Sequence, residues 1–128
     1  MKKAIVTKKA PIAIGPYSQA IQFENLVFTS GQLPLDPNTG AMVEGIQEQT
    51  RACIENLEGI LTEAGLGLED IVKTTVYLSD IKNFSVMNEV YSKYLKVTYP
   101  ARSAFEVAQL PLGALIEIEA IAVKKNEL

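Results

Sequence analysis

The stretch LIEIEAIAV, residues 115–123, alternates in a way that predicts a β-strand with two different faces. One face is entirely apolar, which fits burial under helices. The other face combines two acids with apolar side chains, and it is too apolar for open water, so we predict a contact between subunits there. The apolar face carries Ile116, Ile118, Ala120 and Ala122, and the mixed face carries Leu115, Glu117, Glu119, Ile121 and Val123.

The remaining pattern predicts two helices and five further strands. Apolar residues fall at helical spacing from Ile46 to Ala64, before Gly65 and Gly67, and again from Phe84 to Leu95. The strands are predicted at 2–7, 20–23, 26–31, 70–79 and 101–107. This order indicates an α+β sandwich with a mixed β-sheet and both helices on one face. The 128 residues are predicted to form a single domain, 1–128.

Composition excludes several classes of chemistry. The chain has no histidine, which removes the usual zinc ligands and the Ser-His-Asp triad, and a mechanism without metal is favoured. Its one cysteine, Cys53, lies on the apolar side of the first helix and is interpreted as core packing. A net charge of -3 argues against a nucleic-acid partner. With no membrane span and no signal-peptide core in the sequence, a cytoplasmic location is expected.

PARSAFEV, residues 100–107, places an arginine inside an apparent strand. Arg51, the other arginine of the chain, is spaced for a solvated helix pair with Glu48 and Glu55. Arg102 has two interpretations of equal weight. It forms a salt bridge with Glu117 or Glu119 at an interface, or it binds a ligand carboxylate through two parallel hydrogen bonds.

Glu117 also has two interpretations. It is the structural partner of a cation, or it is a base that orients and activates water, for which it is the best candidate in a chain without histidine. Ser30 and Gly31 stand at a strand end, where Gly31 permits close approach of the backbone to a ligand. Tyr17, after a Gly-Pro turn, is a gate or a packed ring.

Three blocks of the chain resemble the reactive-intermediate deaminase family (RidA, formerly YjgF): IGPYSQAI, VFTSGQLPLDPNTG and YPARSAFEVAQLPLGALIEIEAIAV. The resemblance covers essentially the whole chain. It implies a chorismate-mutase-like fold that assembles as a homotrimer with three inter-subunit clefts. It also implies hydrolysis, without a cofactor, of 2-imino acids and their enamine tautomers to 2-oxo acids and ammonia. The best-matching activity is that of a 2-iminobutanoate/2-iminopropanoate deaminase.

The resemblance also implies roles for individual residues. The arginine of PARS, Arg102, binds the substrate carboxylate, and Glu117 holds the attacking water. Tyr17, Ser30, Gly31 and Asn88 fall on pocket-lining positions of the family. Ala104 stands where the family commonly has cysteine, which removes thiol chemistry there but leaves a backbone carbonyl that can accept a hydrogen bond.

Two other functions remain open at this point. The same clefts would serve a non-catalytic sensor of small carboxylates, which needs the arginine but not the glutamate. The family's older labels, endoribonuclease and translation inhibitor, fit less well with an acidic chain that has two arginines and no histidine.

Overall fold

The strand predicted from LIEIEAIAV lies inside a six-stranded sheet, with neighbours on both sides. A computed structural model describes residues 1–125 of the chain. The strands are β1 Lys3–Ile5, β2 Ala20–Phe23, β3 Leu26–Thr29, β4 Ile71–Leu78, β5 Ala101–Glu106 and β6 Ile116–Val123, and the helices are α1 Ile46–Glu63 and α2 Phe84–Tyr94. Across the sheet the order is β1-β2-β3-β6-β4-β5.

The sheet is mixed, as predicted. All neighbouring strands are antiparallel except β4 and β5, which run parallel. A parallel pair needs a long crossover, and α2 provides it between β4 and β5. This crossover brings α2 over the strand that carries Arg102.

Both helices cover the same face of the sheet, which confirms the predicted layering. Apolar side chains of α1 and α2 pack against the apolar face of β6 in one buried cluster. Cys53 is fully buried in this cluster, with its Sγ 3.7 Å from the carbonyl oxygen of Ile116, and burial raises the pKa of its thiol well above the usual range. The interpretation of Cys53 as a core residue is confirmed.

The opposite face of the sheet has no helix over it among residues 1–125. The exposed fractions of Phe28 and Phe105 there are 39% and 46%. The Phe105 ring meets the Tyr77 ring edge-on, with centroids 5.5 Å apart. Glu117 and Glu119 share this mixed face, as the alternation predicted. Its burial between subunits stays a prediction.

Buried amide side chains attach the loops of the protein to α1. Asn56 Nδ2 donates hydrogen bonds to the carbonyl oxygens of Leu33 and Leu35, at 3.0 and 2.9 Å. Gln49 Oε1 accepts one from the backbone N–H of Leu115, at 2.8 Å. These bonds fix the loop after β3 and the entry to β6, which carries Glu117.

Two strands are shorter than predicted, and both differences involve Gln19. β1 ends at Ile5 because the backbone N–H and carbonyl of Thr7 bond to the Gln19 side chain, at 2.8 and 3.0 Å, instead of to a strand. β3 ends at Thr29, and the N–H of Ser30 donates to the carbonyl oxygen of Gln19 at 2.9 Å. Every other predicted element agrees to within one residue at each end.

Three further observations bear on the sequence predictions. Neither helix in the described part of the chain combines the length and apolar character that a bilayer crossing requires. No group of three or more Cys, Asp or Glu side chains in residues 1–125 is placed to hold a metal ion. The predicted domain, 1–128, extends to three residues outside the described range.

Candidate active site

Arg102 lies on the edge strand β5 and points toward the helices. In the parallel pairing of β4 and β5 it is opposite Thr74, which is fully buried under the helices. Partner residues in adjacent strands project to the same side of a sheet. The guanidinium therefore meets α2, above the parallel edge of the sheet.

The guanidinium is held by an amide and two aromatic rings of α2. Its Nη1 donates to Asn88 Oδ1 at 2.7 Å. Its Cζ lies 4.9 Å from the centroid of the Tyr91 ring and 5.4 Å from that of Phe84, within the range of cation–π attraction. The Tyr91 hydroxyl is 2.7 Å from Thr74 Oγ1, which anchors the ring to β4. None of these groups neutralises the positive charge.

Arg102 forms no ion pair with a carboxylate of residues 1–125, in contrast to Arg51. Arg51 reaches Glu48 at 2.9 Å and Glu55 at 2.5 Å on the surface of α1, as its spacing predicted. The charge of Arg102 is instead directed at a cleft of about 480 Å³. The cleft is lined by Asn88, Tyr91, Ser92, Tyr99, Pro100 and Arg102.

The alternative salt bridge of Arg102 with Glu117 or Glu119 does not form within the chain. Both acids belong to β6, and β4 lies between β6 and β5. Their side chains also project from the mixed face, whereas Arg102 projects from the helix face. A pairing between two copies of the chain stays a prediction.

Glu117 is half-buried on the mixed face, opposite Tyr77 of β4. Burial, and next the negative charge of Glu119, raise the pKa of the Glu117 carboxyl. Burial raises the pKa of the Tyr77 phenol too, reinforced by the Glu119 carboxylate. A carboxylate with a raised pKa is a stronger base than a solvated one, so Glu117 is better suited to taking a proton from water.

Gly31 allows this carboxylate to lie against the backbone. A Cβ built on Gly31 would overlap Glu117 Oε2 and stand 2.8 Å from its Cδ. In this structure the group that lies against the Gly31 backbone is the Glu117 carboxylate, and the approach of a ligand there stays a prediction.

Replacing Gly31 by alanine should displace the Glu117 carboxylate without unfolding the protein. The clash involves the end of a side chain that can rotate away, so we expect a loss of less than about 1.5 kcal/mol in the free energy of unfolding. Thermal unfolding of Gly31→Ala measures this, with Gly67→Ala as the control because its Cβ would also overlap the end of a carboxylate side chain, that of Glu69. Neither glycine has a positive φ, so backbone strain does not enter the comparison.

A second cleft, of about 620 Å³, surrounds Glu117. It contains Tyr17, Ser30 and Gly31 together with Glu117, so four of the predicted site residues share one cleft. The Ser30 hydroxyl donates to the carbonyl oxygen of Ser18 at 2.6 Å, which leaves its oxygen free to accept a hydrogen bond.

The predicted site residues thus fall into two groups on opposite faces of the sheet. Arg102 and Asn88 line the first cleft, and Tyr17, Ser30, Gly31 and Glu117 line the second. Ala104 lines neither of these clefts, and its side chain packs against the core. A role for Ala104 would have to use its backbone, as the sequence indicated.

Comparison with known proteins assigns the chain to a family. A family model described as endoribonuclease L-PSP matches residues 7–124. The chain belongs to this family, the RidA (YjgF) family. It is 56% identical to a RutC family protein of Pyrococcus abyssi, over 97% of this chain and 98% of that protein.

Two RidA-family relatives have names or ligands that bear on function. The chain is 48% identical to a Salmonella typhimurium protein named 2-iminobutanoate/2-iminopropanoate deaminase, over 98% of this chain and 100% of that one. Its structure also matches that of Escherichia coli TdcF, solved with bound serine, with a TM-score of 0.93 and 45% identity over 96% of this chain and 99% of that one. The resemblance found in the sequence is confirmed at the level of the family.

The sequence singled out Asn88 as a pocket-lining position of this RidA-family chain, but not the two rings that hold Arg102 or the group that holds the N-terminal loop. Phe84 and Tyr91 lie four residues before and three residues after Asn88 on α2, and they were predicted only as part of that helix. Gln19 Nε2 donates to the carbonyl oxygen of Pro11 at 2.8 Å, in addition to its bonds with Thr7. A glutamine between a turn and a strand was the only sequence signal for that role.

Proposed function

We propose that the protein hydrolyses 2-imino acids and their enamine tautomers to 2-oxo acids and ammonia. The observation that carries this proposal is the state of Arg102, a cation held in place by Asn88 and two rings but not neutralised by any carboxylate of residues 1–125. A guanidinium fork in that state is suited to the carboxylate of a small acid. The Salmonella relative's name supports this reaction, and bound serine in TdcF supports a ligand with a carboxylate.

In this mechanism Arg102 binds the substrate carboxylate and Glu117 acts on water. Glu117 accepts a proton from the water as its oxygen attacks the iminium carbon, which forms a C–O bond and moves the C=N pair onto nitrogen. The resulting carbinolamine takes up the proton from Glu117 at nitrogen, and as its C–N bond breaks the hydroxyl oxygen forms the C=O bond of the 2-oxo acid. The hydroxyl proton returns to the Glu117 carboxylate and then passes to the released ammonia, which leaves as ammonium. An iminium is already electrophilic, so positioning and one base are sufficient. An enamine enters the same path after it tautomerises to the imine.

The active unit needs two copies of the chain. Arg102 and Glu117 project from opposite faces of one sheet, so one copy cannot place both on a single small substrate. The exposed rings of Phe28 and Phe105 on the mixed face make this face suitable for contact with a second copy. The resemblance to RidA implies the form of the assembly, a homotrimer of chorismate-mutase-like protomers with three clefts.

The proposal is tested with the purified protein and a threonine dehydratase that supplies 2-iminobutanoate. We expect the protein to accelerate the release of 2-oxobutanoate and ammonia above the uncatalysed rate, with no added metal or cofactor. The dehydratase alone is the control for spontaneous hydrolysis. No acceleration, combined with binding of a 2-oxo acid that depends on Arg102, would favour the sensor of small carboxylates.

The description of the family as endoribonuclease L-PSP makes ribonuclease activity the second candidate. The chain has no histidine, two arginines and a net charge of -3, all of which oppose binding and cleavage of RNA. Cleavage of RNA that is salt-sensitive and unaffected by Arg102→Ala would establish this candidate.

A further inference from the structure

Leu112 occupies a backbone conformation that is unusual for a leucine. The turn from Leu110 to Gly113 is closed by a hydrogen bond from the N–H of Gly113 to the carbonyl oxygen of Leu110, at 3.3 Å. Leu112 is the third residue of this turn and has a φ of 59°. Glycine or asparagine is usual there because a β-carbon is crowded at positive φ.

Within the described residues Glu24 is the only other non-glycine residue at positive φ. Glu24 belongs to the two-residue turn between β2 and β3, where hairpin geometry requires such a backbone and most of the side chain faces water. Leu112 is followed by Gly113, which is also at positive φ. The turn therefore has a glycine at one of its two positive-φ positions but a leucine at the other. The leucine side chain itself therefore needs an explanation.

The side chain of Leu112 lies at the rim of the cleft that contains Glu117. Its exposed fraction is 74%, and those of Ile12 and Ile14, which line the same cleft, are 69% and 82%. These three residues form an exposed aliphatic rim around a carboxylate. A strained, solvent-exposed leucine does not stabilise a fold, and strain of this kind concentrates at functional sites.

We propose that Leu112, with Ile12 and Ile14, forms the wall that receives the side chain of the substrate. This inference rests on the proposed function. Arg102 and Glu117 engage the carboxylate and the imine carbon, so the substituent on that carbon is the part left to contact the rim. An aliphatic rim favours 2-imino acids with aliphatic side chains longer than methyl, such as those formed by oxidation of leucine.

The test compares two imino acids that differ only in their side chains. An L-amino-acid oxidase with catalase generates 2-iminopropanoate from alanine and 4-methyl-2-iminopentanoate from leucine, and 2-oxo acid release is measured above the uncatalysed rate. The ratio of kcat/KM for the leucine-derived to the alanine-derived substrate is expected to fall about tenfold in Leu112→Gly. Leu112→Asn should reduce the ratio similarly, because asparagine tolerates positive φ but offers a polar surface.

A purely structural role would produce a different pattern. Leu112→Gly removes a strained β-carbon, so its Tm is expected to stay within about 2 °C of the wild type. Val6→Ala is the matched control, since Val6 is also an exposed aliphatic residue, with an exposed fraction of 76%, but does not line this cleft. The ratio should not change in that variant.

Two outcomes would overturn the inference. An unchanged ratio in both Leu112 variants would show that the rim does not contact the substrate. A changed oligomeric state with the ratio preserved would assign the rim to contact with a second copy instead. If the wild type accelerates neither imino acid, the proposed function itself fails. This result is distinct from the case in which the wild type is active and the Leu112 variants keep its ratio of kcat/KM.

Discussion

Arg102→Ala is expected to lower kcat/KM for 2-iminobutanoate by a factor of about 10² to 10⁴. Two charge-assisted hydrogen bonds to the substrate carboxylate are lost, each worth about 1.5–3 kcal/mol, and about 1.4 kcal/mol corresponds to a tenfold change. The fold should remain, because Arg102 lies on an edge strand and only Asn88 Oδ1 loses a strong hydrogen bond. Asn88 lines an open cleft, where water can replace that bond.

The chain offers a matched control for this variant in its only other arginine. Arg51→Ala removes the same side chain from the surface of α1, where its ion pairs with Glu48 and Glu55 contribute about 0.3–0.5 kcal/mol each. We expect kcat/KM to be unaffected. Arg102→Lys keeps the charge but not the fork, so its activity should fall between those of the wild type and Arg102→Ala.

The state of the assembly separates the two interpretations of Arg102. Size-exclusion chromatography of Arg102→Ala should give the same elution volume as the wild type if the arginine serves the substrate. Dissociation into smaller species, with turnover reduced only in proportion to the fraction that has dissociated, would instead establish a salt bridge between copies with Glu117 or Glu119.

The layering of the fold could be read from local patterns. The alternation in LIEIEAIAV predicted both faces of β6, and helical spacing predicted α1 and α2 to within one residue. These patterns show which side of each helix or strand is buried. They are readable without knowing the full topology, because any sheet covered by helices buries one face of each strand and one side of each helix. The two strand ends that were wrong depend on Gln19, whose bonds reach 8 to 12 residues along the chain and leave no periodic signal.

The arrangement of the candidate site could not be read in the same way. Arg102 and Glu117 were each singled out as a charge in an apolar strand, but the sequence does not show that β4 lies between their strands. Nor does alternation show which face of β5 matches which face of β6, because that depends on register through β4. The opposite directions of the two side chains within one copy of the chain emerge only from the sheet.

Glu117→Gln is expected to separate catalysis from stability. Glutamine keeps the size of the side chain and its contact beside Gly31 but cannot accept a proton, so kcat should fall by a factor of about 10² to 10⁴. Carboxylate binding depends on Arg102 and should persist, which binding of 2-oxobutanoate measures by calorimetry. Unchanged turnover would remove the proposed role of Glu117 as the base.

The pH dependence of the same variant gives an independent test. Burial and Glu119 raise the pKa of Glu117 in the folded protein, so the folded state binds more protons than the unfolded state between the unfolded and folded pKa values. The contribution of Glu117 to the free energy of unfolding is therefore greatest at low pH and falls as pH rises through this window. At pH 7 the ionised, half-buried carboxylate destabilises the fold, and the neutral glutamine should raise Tm relative to the wild type.

Activity should change with pH in the opposite direction to stability, because Glu117 acts as a base only when its carboxylate is ionised. For the wild type, kcat/KM should rise with pH through an apparent pKa above the usual value of about 4.3 for glutamate. In Glu117→Gln this limb should disappear from the residual activity, while Tm at pH 7 increases. A lower Tm in Glu117→Gln would contradict the destabilising charge, and retention of the acidic limb would assign it to another group. If Glu117 were instead the structural partner of a cation, Glu117→Gln would lower the stability, since breaking such a pair leaves a buried cation without its counter-charge. A fall in activity together with a gain in stability therefore distinguishes the base from the salt-bridge partner.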